Sequence, residues 1–201
     1  MSRLLKKIIP AGIAFLLLLS LPVAAAETGK AYTYNYRQQP VIIPDPYVVD
    51  EVIGNSGLKF KSPEDLMAYG DELYVLDSGN HRVVVLNSEL DLVREIRFTR
   101  NGKPYETQEL KGFCVDDRGI FVADRSGQKV FFSDYSGKVI KEFFKPATPI
   151  LPENNMFLPL KVLTDSTGQL YILVENEYRG AISISNKGEF EGFFGSSNVK
   201  V

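Results

Sequence analysis

Past residue 61 the chain is built from short apolar runs separated by clusters of Gly, Asp, Asn and Ser. Leu73-Tyr74-Val75-Leu76 and Val83-Val84-Val85-Leu86 are runs of β-branched, aromatic and aliphatic residues, bounded by Gly70-Asp71, Asp77-Ser78-Gly79-Asn80 and Asn87-Ser88. Runs of this length and composition read as strands, and the residues between them tolerate positive φ or bond their own backbone, as tight turns require. The pattern predicts strands over 65–69, 73–77, 82–87 and 92–98. No stretch after residue 26 carries the 3.6-residue period of a helix.

The same pattern recurs. Residues 62–96 lie over 109–143 without a gap, so that Leu73-Tyr74-Val75-Leu76-Asp77 falls on Ile120-Phe121-Val122-Ala123-Asp124, and Arg82-Val83 falls on Lys129-Val130. A third copy follows, in which Val162-Leu163-Thr164-Asp165 matches Phe113-Cys114-Val115-Asp116 and Leu170-Tyr171-Ile172-Leu173 matches Ile120-Phe121-Val122-Ala123. The copies span about 62–98, 109–145 and 158–195, after a lead-in over 27–61 that holds one or two strands. Four antiparallel strands recurring at this interval predict an all-β fold of β-propeller blades. A β-sandwich is the competing architecture, but it does not call for units that superpose residue by residue.

The segment from Pro63 to Leu86, P-E-D-L-M-A-Y-G-D-E-L-Y-V-L-D-S-G-N-H-R-V-V-V-L, resembles the NHL-repeat consensus, with Asp77, Gly79, Asn80, His81, Arg82 and Val83 on signature positions. The second copy departs from it at Gly127 and Gln128, and the third keeps the apolar skeleton and Arg179. Tyr32-Thr33-Tyr34-Asn35-Tyr36 and Pro44-Asp45-Pro46-Tyr47 are similar to the lead-in of exported bacterial members. The resemblance implies blades of a probable six-bladed ring, of which about three to three and a half are present. A truncated chain, two chains pairing half-rings, or a small closed ring using residues 31–61 would each account for that number. It also implies either of two activities. One is a non-catalytic binding or scaffold module; the alternative is a gluconolactonase-like hydrolase or lyase, which needs a complete ring and a channel metal.

Residues 1–26 carry Arg3, Lys6 and Lys7 ahead of an uncharged apolar stretch that ends in Ala24-Ala25-Ala26, the layout of a cleaved signal peptide. The stretch from Ile8 to Ala26 approaches the roughly 20 residues that span a bilayer, so an uncleaved tether to the membrane is the alternative. The expected location is therefore extracytoplasmic. Of the whole chain's 23 Lys and Arg, three lie in this leader, against 25 Asp and Glu. The remainder is mildly acidic without a basic cluster, which argues against nucleic acid as a partner.

Chemistry-bearing residues are few. His81 is the only histidine and Cys114 the only cysteine, so no multi-histidine metal site, catalytic triad or disulfide framework can be assembled. Cys114 aligns with Met67 and Leu163 and reads as a buried core thiol. Asp65, Asp116 and Asp165 are carboxylates that a channel metal could use, yet Asp65 does not align with the other two; no metal, cofactor or catalytic residue is expected. Asp77, Asn80, His81, Arg82, Asp124 and Lys129 read as structural signature residues. The two aspartates are expected to cap turns; Arg82, Lys129 and Arg179 are expected to bridge toward a neighbouring blade.

The candidate binding surface is the face carrying the connections between blades, 99–108 and 145–157. Tyr105, Ile150, Leu151, Met156 and Phe157 supply its apolar side chains, and loops on a rigid scaffold are the usual seat of recognition. A protein, peptide or envelope glycan is the expected partner, with self-association as a second expectation. Whether Leu151, Met156 and Phe157 face outward or tuck beneath their own blade is open from sequence.

Overall fold

In the computed structural model, residues 32–43, 52, 57–152 and 154–195 are described. The leader, Pro44-Asp45-Pro46-Tyr47 and the last residues lie outside them, as does any question of signal cleavage. The chain divides into two compact units, residues 1–52 and 53–201. In the first, β1 (Tyr32–Tyr34) and β2 (Pro40–Ile42) pair as an antiparallel hairpin.

The second unit is all-β apart from a single 3-10 turn at Ser78–Asn80 among the described residues. Blade A comprises β3 (Pro63–Tyr69), β4 (Glu72–Asp77), β5 (Arg82–Leu86) and β6 (Leu92–Arg97). A two-stranded ribbon follows, β7 (Thr99–Arg100) and β8 (Lys103–Pro104). Blade B comprises β9 (Leu110–Asp116), β10 (Gly119–Asp124), β11 (Lys129–Ser133) and β12 (Val139–Phe143). Blade C comprises β13 (Pro159–Thr164), β14 (Leu170–Val174), β15 (Ala181–Ile184) and β16 (Phe190–Phe194). Each blade is an antiparallel sheet whose strands pair in sequence order, and the first strands β3, β9 and β13 lie side by side. The predicted all-β propeller-blade fold is thus the observed one.

The alternation of side chains across a strand explains the packing. In blade B, Phe113, Val115, Ile120, Val122 and Phe131 point toward blade A and join Tyr74, Leu76, Val83, Val85 and Ile96 in one core. Cys114, Phe121, Ala123 and Val130 point the other way and join Val162, Leu170, Ile172 and Ile182 in a second. With both faces covered, every position of β10 is buried, and its sequence is correspondingly apolar on both faces. Gly112 permits the close approach of β9 to β13: a Cβ there would lie 2.4 Å from the Leu160 carbonyl oxygen.

One turn design recurs. Asn87, Asp134, Asp165 and Ser185 each open a three-residue hairpin loop, and each side-chain oxygen accepts the backbone N–H groups two and four residues ahead. The residue three positions after each of these has positive φ and is Gly137, Gly168 or Gly188 in three cases and Leu90 in the other. This is a type I turn closed by a left-handed residue. The connection after blade A is not the open loop expected over 99–108. Its Asn101-Gly102 pair, both at positive φ, forms the two-residue turn of the β7–β8 ribbon, and the Thr99 N–H donates to the Gly137 carbonyl of blade B at 2.8 Å.

Candidate functional site

The inner strands bring several carboxylates together, and each is already engaged. Asp65 accepts the Phe113 N–H at 3.0 Å and an ion pair from Lys161, which crosses over Gly112 to reach it. Glu64 pairs with Lys111 at 2.9 Å. Asp116 pairs with Arg118 and accepts the Thr164 hydroxyl at 2.7 Å. Burial works against ionisation of Asp116, but these donors more than offset it and hold its carboxyl below the usual range. Asp165 sits apart in its hairpin, where Thr167 chiefly, with Tyr171 also donating, lowers its pKa to about 2. Asp65, Asp116 and Asp165 thus form no shared site. Among the described residues no group of three or more His, Cys, Asp or Glu is placed to hold a metal ion. Cys114 is buried.

On the side where β4 turns into β5 and β10 into β11, the signature residues form two related networks. Asp77 is fully buried and accepts the Lys61 N–H, the Asn80 amide and the Arg82 Nε–H, each at 2.7 Å. Arg82 also pairs with Glu95 and donates to the Leu58 carbonyl. Asp124, equally buried, accepts N–H groups from Gln108, Glu109 and Gly127. Asp124 caps its turn through the Gly127 N–H as expected, whereas Asp77 accepts no backbone N–H of its own turn and meets it only through the Asn80 side chain; both pin the segment entering the blade onto β4 or β10. His81 and its counterpart Gln128 occupy the left-handed position of this turn, and Asn176 does so in blade C. His81 Nδ1 lies 2.8 Å from the Thr107 hydroxyl.

The cations are placed differently from expectation. Arg82 and Lys129 bind carboxylates of their own blades, Glu95 and Glu142, because antiparallel neighbours bring these partners within reach before any other blade does. Arg179 pairs with Glu177 and donates to the Ile150 carbonyl at 2.9 Å, tying the β14–β15 turn to the preceding loop. The ion pairs joining blades are instead Lys111–Glu64 at 2.9 Å, Lys161–Asp65, and Arg125–Glu175 at 2.6 Å. Glu142 is a hub that sequence did not single out. Burial opposes its charge, but Tyr105, Arg100 and Lys129 converge on it and bring its pKa down to about 2. Tyr105 is consequently held against Phe131, ring centroids 5.1 Å apart, with its hydroxyl committed to Glu142.

The loop joining blades B and C resolves into two halves. Leu151 and Phe157 are buried in the second core, whereas Ile150 and Met156 are exposed. Lys145 Nζ donates to the Pro152 and Asn155 carbonyls, and Arg179 holds Ile150 from outside. This anchored loop and the β14–β15 turn enclose a cleft of about 400 Å³ lined by Asn154, Asn155, Met156, Leu158, Glu175 and Asn176. Tyr178 stands at the tip of that turn, 91% exposed. Neither Asn154, Asn155 nor Tyr178 was picked out by sequence, since what gathers them is the fold of two loops rather than a motif.

No sequence-family model matches the chain, and no curated protein matches it by sequence. Among solved structures it is similar to a hydrazine synthase of Kuenenia stuttgartiensis, with 12% identity over 75% of this chain and 40% of that one, at a TM-score of 0.49. A Bacteroides fragilis protein provisionally described as exported is matched at 17% identity over 69% of this chain and 39% of that one, TM-score 0.49. A catalytically inactive virginiamycin B lyase of Staphylococcus aureus, solved with quinupristin, is matched at 14% identity over 84% and 49%, TM-score 0.48. The chain thus spans less than half the length of each.

Proposed function

We propose that this chain is an extracytoplasmic β-propeller module of the NHL-repeat type. In this reading it catalyses no reaction and holds a protein, peptide or envelope glycan against the face carrying the interblade loops. The observation that carries the reading is the cleft between residues 145–158 and the β14–β15 turn. Its exposed apolar side chain is Met156, its lining offers the amides of Asn154, Asn155 and Asn176, and its two loops are held by Lys145 and Arg179. A preordered site of mixed polarity loses little freedom on binding, which favours recognition of an extended polar chain. The Asp77 network at the signature positions supports the NHL assignment, and the leader supports export.

The test is a screen of the purified mature chain against peptide and glycan arrays, with Met156→Asp and Tyr178→Ala run in parallel. Binding that both substitutions weaken at least tenfold while the fold is unchanged is the expected result. Stoichiometric calcium or zinc in the purified protein, with a hydrolase or lyase activity lost on chelation, would overturn the reading in favour of an enzyme.

A further inference from the structure

The junction between blades A and B is filled by two groups that the junction between blades B and C lacks. In blade A, Glu72 grips Arg94 with both carboxylate oxygens, at 2.5 and 2.8 Å, and accepts the Tyr74 hydroxyl at 2.8 Å. Tyr135, in the β11–β12 hairpin of blade B, packs its ring against the same core. The gapless overlay of residues 62–96 on 109–143 puts Gly119 at the place of Glu72, Phe121 at that of Tyr74 and Lys141 at that of Arg94. The matching hairpin loops opened by Asp134 and Ser185 equate Tyr135 with Asn186. At the second junction the carboxylate is therefore replaced by a glycine and the ring by a short amide.

What remains there is a groove of about 510 Å³, all of whose lining residues belong to blades B and C. Phe121 and Phe132 stack along it with ring centroids 4.6 Å apart, and Phe143 lies beside them. Phe132 pairs with Lys141 and Ser133 with Val139, so Ile140 is the extra residue of a bulge; its side chain is 54% exposed in the groove. Three cations line the groove, Arg118, Lys141 and Lys187, and no carboxylate does. Arg118 is engaged by Asp116 and lies 4.0 Å from Asp117. Lys141 Nζ donates to the Asn186 carbonyl and sits 4.8 Å from the Phe143 ring centroid, but among the described residues neither it nor Lys187 has an acidic partner.

We propose that this groove binds a small aromatic carboxylic acid, with its ring against Phe132 and Ile140 and its carboxylate between Lys141 and Lys187. A ring and a carboxylate are the two groups that Tyr135 and Glu72 supply at the A–B junction, so the ligand brings from solution what the chain omits. Apolar contact holds the ring, and the uncompensated charge of two ammonium groups selects an anion over a neutral analogue, because a charge-assisted hydrogen bond is stronger than a neutral one. The groove lies at the end of the strands that carries the β9–β10, β13–β14 and β15–β16 hairpins, opposite the interblade loops, and shares no residue with the cleft. The proposal is thus independent of the cleft's function.

Amide NMR of the isotope-labelled protein, titrated with phenylacetate and separately with phenylacetamide, tests it. Phenylacetate is expected to give saturable shifts at residues 118–121, 140–143 and 186–188, and the neutral amide to bind at least about tenfold more weakly. Lys141→Gln should weaken phenylacetate by a similar factor. Asn186→Tyr, which places a ring where the A–B junction has one, should abolish binding and leave the spectrum of blade A unchanged. Equal binding of acid and amide by the wild type would refute the proposal without recourse to any variant. Saturable shifts confined to other residues would refute it too, as would no saturation by about 10 mM. So would undiminished binding by a folded Lys141→Gln or Asn186→Tyr protein.

Discussion

Replacing Asp77 with Ala removes three hydrogen bonds at one stroke and strands a guanidinium. Asp77 is fully buried and the Arg82 side chain nearly so, while the Lys61 N–H and the Asn80 amide have Asp77 as their acceptor at 2.7 Å. Glu95 still faces Arg82, so the cation is not wholly abandoned. Breaking a buried pair by deleting one partner destabilises a protein by about 3–5 kcal/mol, and the unsatisfied donors place Asp77→Ala within or above that range. At about 2–4 °C per kcal/mol for a domain of this size, the melting temperature should fall by roughly 6–20 °C. Asp77→Asn, which keeps an acceptor oxygen but no charge, should lose less. Differential scanning calorimetry on the three proteins reads the effect directly. A fall under about 2 °C for Asp77→Ala would show that the strand before blade A is held by something other than this carboxylate.

Phe157→Ala should lower stability by about 3–5 kcal/mol in chemical denaturation, because a ring is removed from a closed core, whereas Met156→Ala should change it by less than about 0.5 kcal/mol. Gly112→Val should force β9 and β13 apart and lower the melting temperature, at about 1–3 kcal/mol, since the added Cβ meets the Leu160 carbonyl. The Glu142 carboxyl ionises at about 2 in the folded chain against 4.5 for the free group, so the folded state binds fewer protons across that interval. Its contribution is present above pH 4.5 and is lost as the pH falls toward 2, and melting temperatures of Glu142→Gln should decline less steeply there than those of the wild type. Equal slopes for the two proteins would remove Glu142 from the account.

Strands and blades could be read from the sequence because they rest on local rules. Alternation assigns Ile120 and Phe121 to opposite faces, and the recurrence of Asp77 at Asp124 marks equivalent turns before any coordinates are consulted. The β7–β8 ribbon was also local, signalled by Asn101-Gly102, but its strands are only two residues long, too short for alternation to reveal. The pairs made by Arg82 and Lys129 were not read in advance. Lys129 lies on β11, beside the strand bearing Glu142, and strand pairing rather than sequence spacing decides which carboxylate it meets. The division of the 145–157 loop had the same origin. Leu151 and Met156 are both apolar members of a Pro-rich stretch, and which one goes under depends on the space that Phe143 and Ile182 leave between blades B and C.

The proposed binding face is tested most directly by hydrogen exchange of the mature chain with and without the strongest peptide or glycan from the arrays. Slower exchange is predicted over residues 144–158 and 174–180, with β3, β9 and β13 unchanged. Protection confined to those three inner strands would place the ligand away from the interblade loops and contradict the account.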